Sequence, residues 1–172
     1  MAKVALLVGV SDCGGPSLGL LPGPPRNLEV LQQTLLRSQL GAFTAVDTLL
    51  NPDPLRLQQA IEVLFGNPRA ADLVLLYFCG HALHDEQGKL YLATGITGKN
   101  PQTKLLKSAT VSVSFIYDAM SSSSVNQQIV ILDCWFSGAL VTGGLHEAAN
   151  SVDQQQLGRH RQVVLTAATS AP

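Results

Sequence analysis

The chain has 172 residues, of which 46% are hydrophobic and 13% are charged, and its formal net charge is -1. This length fits one domain with a large buried core. No stretch concentrates Lys and Arg, so nucleic acid is not an expected partner. No apolar run approaches the roughly 20 residues that a membrane-spanning helix needs, so no membrane contact is expected either.

The chain contains three cysteines, at positions 13, 79 and 134, and no CxxC pair. An odd count without metal-ligand spacing argues against a disulfide framework and against a zinc site. We therefore expect reduced thiols, a cytoplasmic location, no cofactor and no metal site. Residues 1–3 lead directly into an apolar stretch without a cleavage-site pattern, which favours a core strand over a signal peptide.

The first half of the chain alternates between strand and helix patterns. The continuous apolar run at residues 4–10 predicts a buried strand, and the Pro- and Gly-rich residues 11–25 predict a loop after it. Apolar residues at helical spacing predict a helix over residues 27–40. Residues 42–50 are typical of a second strand, and residues 55–65 of an amphipathic helix.

The middle of the chain repeats this alternation. Residues 72–81 form an apolar run that predicts a strand ending on Gly-His, and residues 89–93 predict a short return strand after a polar turn. Residues 95–110 are polar and predict a loop. Apolar residues at helical spacing predict a helix over residues 111–120.

The stretch at residues 128–138 is the centre of the prediction. Four branched apolar residues are followed by Asp133 and Cys134, which is typical of a strand that is buried on both faces and ends at the edge of a sheet. The polar residues 143–161 predict a loop, and residues 161–168 a final strand. This alternation predicts an α/β fold with a mostly parallel central sheet and helices on both faces. A flavodoxin-like binding domain is the alternative.

Reactive side chains follow two of the predicted strands. His81 ends one strand, and Asp133 and Cys134 end the central one. Ligand and catalytic sites of open α/β sheets lie beyond the carboxyl ends of the strands, so these three residues are expected to lie close together. An imidazole near a thiol suits a cysteine nucleophile, because the imidazole can hold the proton that the thiolate sheds.

Four stretches carry a resemblance to a known family, and they lie at residues 3–11, 78–82, 88–94 and 131–138. With them the chain resembles the large-subunit half of the caspase-like cysteine proteases, closest to the bacterial metacaspase-like branch often called orthocaspases. The spacing of roughly 50 residues between histidine and nucleophile agrees with the caspase pattern. The resemblance implies a caspase-like three-layer sandwich over residues 1–172, with the small-subunit portion on another segment.

The resemblance also implies an activity. It implies an endopeptidase that cleaves after Arg or Lys, with His81 as the acid/base and main-chain donors near Ala82 for the oxyanion. The resemblance further implies that Asp133 and position 27 belong to the pocket for the basic side chain of the substrate. The expected partners are a peptide or protein substrate, and a small-subunit segment or a second copy of the chain at the 161–168 edge.

The sequence departs from the family pattern at the nucleophile. When Asp133, Ser137 and Gly138 are aligned to the pattern, Cys134 falls one position before the nucleophile and Trp135 occupies the nucleophile position. An indole has no ionisable nucleophile. The chain therefore resembles a protease that is catalytically impaired, a pseudoprotease.

Three further positions differ from the family pattern, and each lies in a different part of the expected site. Ala82 stands where the residue after the histidine is usually Gly, and Cys79 stands where a serine is usual. Asn27 replaces an acidic residue at the start of the first helix, which removes one negative charge from the pocket for a basic side chain.

Several interpretations stay open at this stage. Cys134 is either a small buried core residue or a substitute nucleophile, and in the second case the chain must slip by one residue because side chains alternate between faces along a strand. Asp133 either binds an incoming Arg or Lys or accepts hydrogen bonds from loop amides. A non-catalytic interaction scaffold is a further alternative. Asp85 and Glu86 indicate an exposed turn rather than a calcium site, which needs several converging oxygens.

Overall fold

A computed structural model describes residues 2–15, 18–66, 73–99, 105–136 and 161–170. The strands, numbered in chain order, are β1 Lys3–Gly9, β2 Ala45–Leu50, β3 Leu73–His84, β4 Leu90–Ala93, β5 Thr110–Ser112, β6 Gln127–Phe136 and β7 Arg161–Ser170. The α-helices are α1 Gly23–Leu36, α2 Pro54–Gly66 and α3 Val113–Ser122. Two short 3-10 turns lie at Thr97–Lys99 and Lys107–Ala109.

Within the described part of the chain, seven strands form one sheet. Its parallel body has the order β2-β1-β3-β6-β7, with β3 in the middle. The last residues of β3 leave this body and pair antiparallel with β4, which in turn pairs antiparallel with β5. The strands that carry His81 and Asp133 are therefore direct neighbours, as predicted, and the mostly parallel sheet is confirmed.

The helices cover the sheet on both sides and give it three layers. On one side, which we call the α1 face, Leu28 of α1 packs on Ala5, Leu7, Leu75 and Tyr77 of the sheet. On the other side, the α2/α3 face, a larger cluster joins the two helices to alternate residues of β1, β3 and β6. Because consecutive strand residues point to opposite faces, the continuous apolar runs of the sequence supply both cores at once.

The helix starts explain where the sequence prediction was displaced. Helix α1 begins at Gly23, four residues before the predicted start, with Pro24 and Pro25 in its first turn. Proline is tolerated there because the first N–H groups of a helix have no partner within the helix. Helix α1 also ends at Leu36, since Arg37 is extended. The prediction counted these prolines as loop and was wrong at both ends.

Helices α2 and α3 begin at side-chain caps. Asp53 Oδ1 accepts a hydrogen bond from the Arg56 N–H at 2.8 Å, and Ser112 Oγ accepts one from the Phe115 N–H at 3.3 Å. Caps of this kind satisfy N–H groups that the helix leaves unpaired. Helix α3 starts at Val113 rather than 111 because Thr110–Ser112 forms β5, a strand that the sequence prediction placed within a loop and the start of the helix.

The two strands that form the candidate site are both longer than predicted. Strand β3 continues from the predicted end at His81 to His84, where it pairs with β4. Strand β6 continues through Phe136, so Asp133 and Cys134 lie inside the strand rather than after it. The predicted loop at 143–161 lies, apart from Arg161, outside the described residues.

Strand β7 is an edge of the described sheet. It pairs with β6 over its whole length and with no other described strand. Val163 and Leu165 are half exposed, at 47% and 54%. Among the described helices none is both long enough and apolar enough to cross a membrane.

Candidate functional site

The candidate site is the carboxyl-terminal edge of the sheet where β3 and β6 lie side by side. Their parallel register aligns Cys79 with Asp133, Gly80 with Cys134, and His81 with Trp135. The pairing runs without interruption from Leu73 to Ala82, so the alternation of faces holds along the whole pair. Each residue's face can therefore be assigned from its position in the strand.

His81, the predicted acid/base, lies near the carboxyl-terminal end of β3 and is enclosed by the fold. It is buried, and its Nε2 lies 2.8 Å from the carbonyl oxygen of Gly19, in the loop between β1 and α1. A carbonyl only accepts, so Nε2–H donates this hydrogen bond, and in the neutral ring Nδ1 is left with a lone pair. Nδ1 is buried and has no hydrogen-bond partner in the described part of the chain. The histidine is thus held in one orientation with one acceptor unused.

Cys134 lies on the other side of the sheet from His81. It packs in the core of the α2/α3 face with Val130 and Leu132 and is only 3% exposed. His81 follows Cys79 of the α1 face by two positions, which places it on that opposite face. Burial raises the pKa of the Cys134 thiol far above its ordinary value, and the nearby Asp133 and Cys79 raise it further. The structure does not bring the predicted imidazole and thiol together.

Trp135 is the residue that lies beside His81. It is the register partner of His81 in β6, and by alternation from Ile131 it belongs to the α1 face. Its side chain is 42% exposed, which is large for an indole within a strand. The position that the family pattern reserves for the nucleophile is therefore next to the histidine, and it holds an indole.

Asp133 lies on the α1 face and has a partner that the sequence analysis missed. The hydroxyl of Tyr77 donates a hydrogen bond to Asp133 Oδ2 at 3.0 Å. Cys79 also interacts with Asp133, and no described cation pairs with the carboxylate. Burial, above all, raises the pKa of Tyr77, with smaller contributions from Cys79 and Asp133, so its hydroxyl keeps the proton that it donates. The predicted alternative of loop amides around Asp133 is not seen among the described residues.

Asn27 and Cys79 extend this polar group towards helix α1. The side-chain amide of Asn27 donates a weak hydrogen bond to Cys79 Sγ at 3.6 Å. Burial raises the pKa of the Cys79 thiol, so it accepts this bond as a neutral group. The sequence does hold a signal for Tyr77. It carries a hydroxyl inside the apolar run of β3, two positions before Cys79 and therefore on the same face of the sheet.

A surface groove of about 350 Å³ lies against this polar group. It is lined by Arg26, Asn27, Val30, Leu31, Thr34 and Tyr77. Helix α1 therefore forms one wall, and the Tyr77 ring connects the groove to Asp133. Its volume is at the low end of the roughly 300–1,000 Å³ of ligand pockets, which suits a single side chain rather than a large molecule.

Ala82 lies within the sheet and not in an open loop. It pairs with Phe136 of β6 on one side and with Leu92 of β4 on the other, and it is 1% exposed. Its methyl group belongs to the core of the α2/α3 face. The backbone next to the histidine is thus fixed by two neighbouring strands.

The loop that carries Gly19 is anchored from β2, which the sequence analysis did not foresee. Asn51 directly follows β2, and its side-chain Oδ1 accepts hydrogen bonds from the N–H groups of Ser11 and Asp12 at 2.8 and 3.2 Å. Asn51 has a positive φ of 50°, a conformation that Asn tolerates better than most residues. This anchor fixes the start of the loop whose Gly19 carbonyl meets His81.

Asp85 organises the turn after β3; the prediction of an exposed turn is confirmed for Glu86 but wrong for Asp85, whose side chain is only 5% exposed. Its carboxylate accepts hydrogen bonds from the N–H groups of Gln87 and Lys89. It also forms an ion pair with the Lys107 ammonium group at 2.7 Å. The Lys107 bond, above all, lowers the pKa of Asp85 to about 2. The described residues contain no group of three or more His, Cys, Asp or Glu that could hold a metal ion.

Comparison with known proteins leaves the family open. No protein-family model matches the sequence, and no curated protein matches it either. The caspase-like resemblance therefore remains a hypothesis that rests on the motif residues, of which Ser137 and Gly138 lie outside the described part of the chain.

Proposed function

We propose that the chain is a caspase-like domain that has lost its nucleophile and binds peptides or proteins without cutting them. One observation carries this proposal: the register partner of His81 is Trp135, while Cys134, the predicted substitute nucleophile, is buried on the opposite face. Acyl transfer needs a thiolate within hydrogen-bond reach of the imidazole. Removing the nucleophile of a catalytic unit lowers turnover by on the order of 10⁶-fold, so we expect no detectable cleavage.

The binding half of the proposal rests on Asp133. This carboxylate is half-buried and accepts a hydrogen bond from the Tyr77 hydroxyl, and Tyr77 in turn lines the groove along α1. A half-buried carboxylate without a described cation partner favours a positively charged ligand group. An Arg or Lys side chain of a peptide is the ligand that the family resemblance suggests. Because position 27 holds Asn rather than an acidic residue, the groove carries one negative charge fewer than the family pattern implies.

The activity test uses fluorogenic peptides that end in Arg or Lys. We expect no cleavage by the parent protein and none by Cys134→Ala. The Trp135→Cys variant, assayed alone and with a small-subunit segment, should gain cleavage, because position 135 lies beside His81. If the parent protein cleaves and Cys134→Ala abolishes that cleavage, the chain is an active protease that uses Cys134, and the proposal is wrong.

The binding test uses the single tryptophan of the chain as its probe. Trp135 is two positions from Asp133 on the same face, so an Arg- or Lys-containing peptide at Asp133 should change the tryptophan fluorescence. The same peptide with citrulline in place of Arg is the matched ligand control, and Asp133→Asn is the matched protein variant. Equal responses to the Arg and citrulline peptides would remove Asp133 from the binding site.

We further propose that the β7 edge, residues 161–168, pairs with a small-subunit segment or a second copy of the chain. What supports this is the absence of any described strand on its outer side, together with the exposed Val163 and Leu165. Unpaired apolar edges tend to pair with other strands. Light scattering across a concentration series tests it, and a monomer at every concentration would contradict self-association. A cytoplasmic location fits the three free, buried thiols.

A further inference from the structure

A second groove lies between α2 and α3, on the face opposite the candidate site. It has a volume of about 370 Å³ and is lined by Glu62, Phe65, Gly66, Phe115, Asp118, Ala119 and Ser122. The lining residues of α3 lie at i, i+3, i+4 and i+7, so they form one helix face. A groove of this size accepts one or two side chains rather than a larger molecule.

The groove is rigid at its base because the ends of the two helices are tied together. Ser123, directly after α3, donates a hydrogen bond from its hydroxyl to the Phe65 carbonyl of α2 at 2.7 Å. Ser123 is 5% exposed and Phe65 is 1% exposed, so this bond is shielded from water. This bond holds the two helix walls of the groove together at their carboxyl ends.

The groove combines an apolar floor with negative charge. The half-buried Phe115 and Ala119 provide the floor, and the exposed Glu62 and Asp118 lie at the two sides. In the described part of the chain neither carboxylate has an ion-pair partner. Arg56 is the one basic residue within α2 and α3, and it lies six residues, or about 9 Å, before Glu62 along the helix.

The backbone adds to the negative potential. Gly66 ends α2 and Ser122 ends α3, and both residues line the groove, so the carboxyl ends of both helices lie at the groove. Neither last turn contains a basic residue. The carboxyl end of a helix carries a partial negative charge that a cation stabilises. Two helix ends and two carboxylates thus give this small groove a negative potential. No described cation neutralises it.

We propose that this α2/α3 groove docks a Lys or Arg side chain from a partner protein. The methylene stem packs on Phe115 and Ala119, and the cationic head lies between Glu62 and Asp118. The Phe115 ring adds a favourable contact with the cation. The same charges repel nucleic acid and anionic membranes. This inference is independent of the proposed peptide binding at Asp133, because the two sites lie on opposite faces of the sheet.

The first test titrates the full chain with butylguanidinium and follows backbone amides by NMR. We expect shifts at Phe115, Ala119 and Ser122 that weaken at high salt, where exposed charges are screened. The double variant Glu62→Gln with Asp118→Asn should bind about 2- to 30-fold more weakly, because two exposed ion pairs are removed. The matched control is Glu29→Gln, an exposed acid on α1 that should leave binding unchanged.

The second test asks for a protein-like partner. An amphipathic helical peptide of Leu and Lys should bind the groove more tightly than butylguanidinium, and its Leu/Glu counterpart should not bind. The proposal is overturned if butanol gives the same shifts and affinity as butylguanidinium, if the double variant binds as well as the parent, or if the Leu/Glu peptide binds equally. Arg69 follows Gly66 by three positions in the sequence. If Arg69→Gln strengthens probe binding tenfold or more, the chain's own guanidinium competes for the groove, and a partner is not its occupant.

Discussion

The reactivity of the native thiols distinguishes the proposed pseudoprotease from the alternative in which Cys134 acts as a nucleophile. The perturbation is a thiol reagent such as DTNB, added to the folded protein at pH 7.5. The thiolate is the reacting species, so both burial and a raised pKa slow the reaction. Cys13, Cys79 and Cys134 are exposed by 1%, 3% and 3%. We expect all three to be protected while the protein is folded.

The magnitude follows from the pKa values. Burial, with a smaller contribution from Asp12, raises the pKa of Cys13 from 9.0 to about 11, which lowers its thiolate fraction at pH 7.5 about 100-fold. Burial, with smaller contributions from Asp133 and Cys79, raises the pKa of the Cys134 thiol further still. Exclusion of the reagent acts on top of this effect. Labelling of Cys134 should therefore be at least about 100-fold slower than labelling of an exposed cysteine.

The assay compares the parent with Trp135→Cys and locates the label by mass spectrometry. Position 135 is 42% exposed, so the new thiol should react within about tenfold of a free cysteine. In strong denaturant all native cysteines should react at similar rates, which controls for oxidation. If Cys134 of the folded parent reacts within tenfold of a free cysteine, the assignment of this thiol to the core of the α2/α3 face is refuted.

Two further predictions concern stability. The folded-state pKa of Asp85, about 2, lies below its ordinary value of 3.8, so the Lys107 interaction stabilises the fold fully above about pH 4 and is lost as the pH falls towards 2. The Asp85→Asn variant should therefore show a flatter dependence of Tm on pH between pH 4 and 2. An unchanged dependence would show that other carboxyl groups control it. The Ile116→Ala mutation, at a 1% exposed position of α3, should lower the free energy of unfolding by about 2–5 kcal/mol. The Leu55→Ala mutation, at a 64% exposed position, should change it by about 0.5 kcal/mol or less. Urea titrations measure both changes. Similar losses for both would contradict the assigned cores.

The sequence predicted the layers of the fold better than the ends of its elements. Continuous apolar runs such as residues 73–79 are long enough to identify strands that are buried on both faces. The ends of β3 and β6 depend instead on pairing across the sheet, with β4 and with each other, and such contacts leave no local signal. For the same reason β5, three residues that pair only with β4, was missed.

The candidate site was predictable in its composition and not in its contacts. Adjacent strands placed His81 near Asp133 because the carboxyl ends of parallel strands share an edge. The Gly19 carbonyl on His81 and the Tyr77 hydroxyl on Asp133 join residues that are 62 and 56 positions apart in the sequence. Contacts at such separation arise from the packing of loops and strands, and neither hydropathy nor motif spacing encodes them.

Asp133 explains why the chain does not bring Cys134 to His81 by a shift of one residue. Such a shift would move Cys134 into the position of Trp135, and the apolar residues 129–132 would exchange faces with little loss because all are branched and apolar. Asp133, however, would move into the present position of Cys134, which is 3% exposed, and would lose the Tyr77 hydrogen bond. Burying an ionised carboxylate without a partner costs several kcal/mol, a large part of the roughly 5–15 kcal/mol that stabilises a domain. Asp133 thus favours the register that keeps the Cys134 thiol on the face opposite His81, so we expect that placing a thiol beside His81 requires a substitution at position 135 rather than slippage.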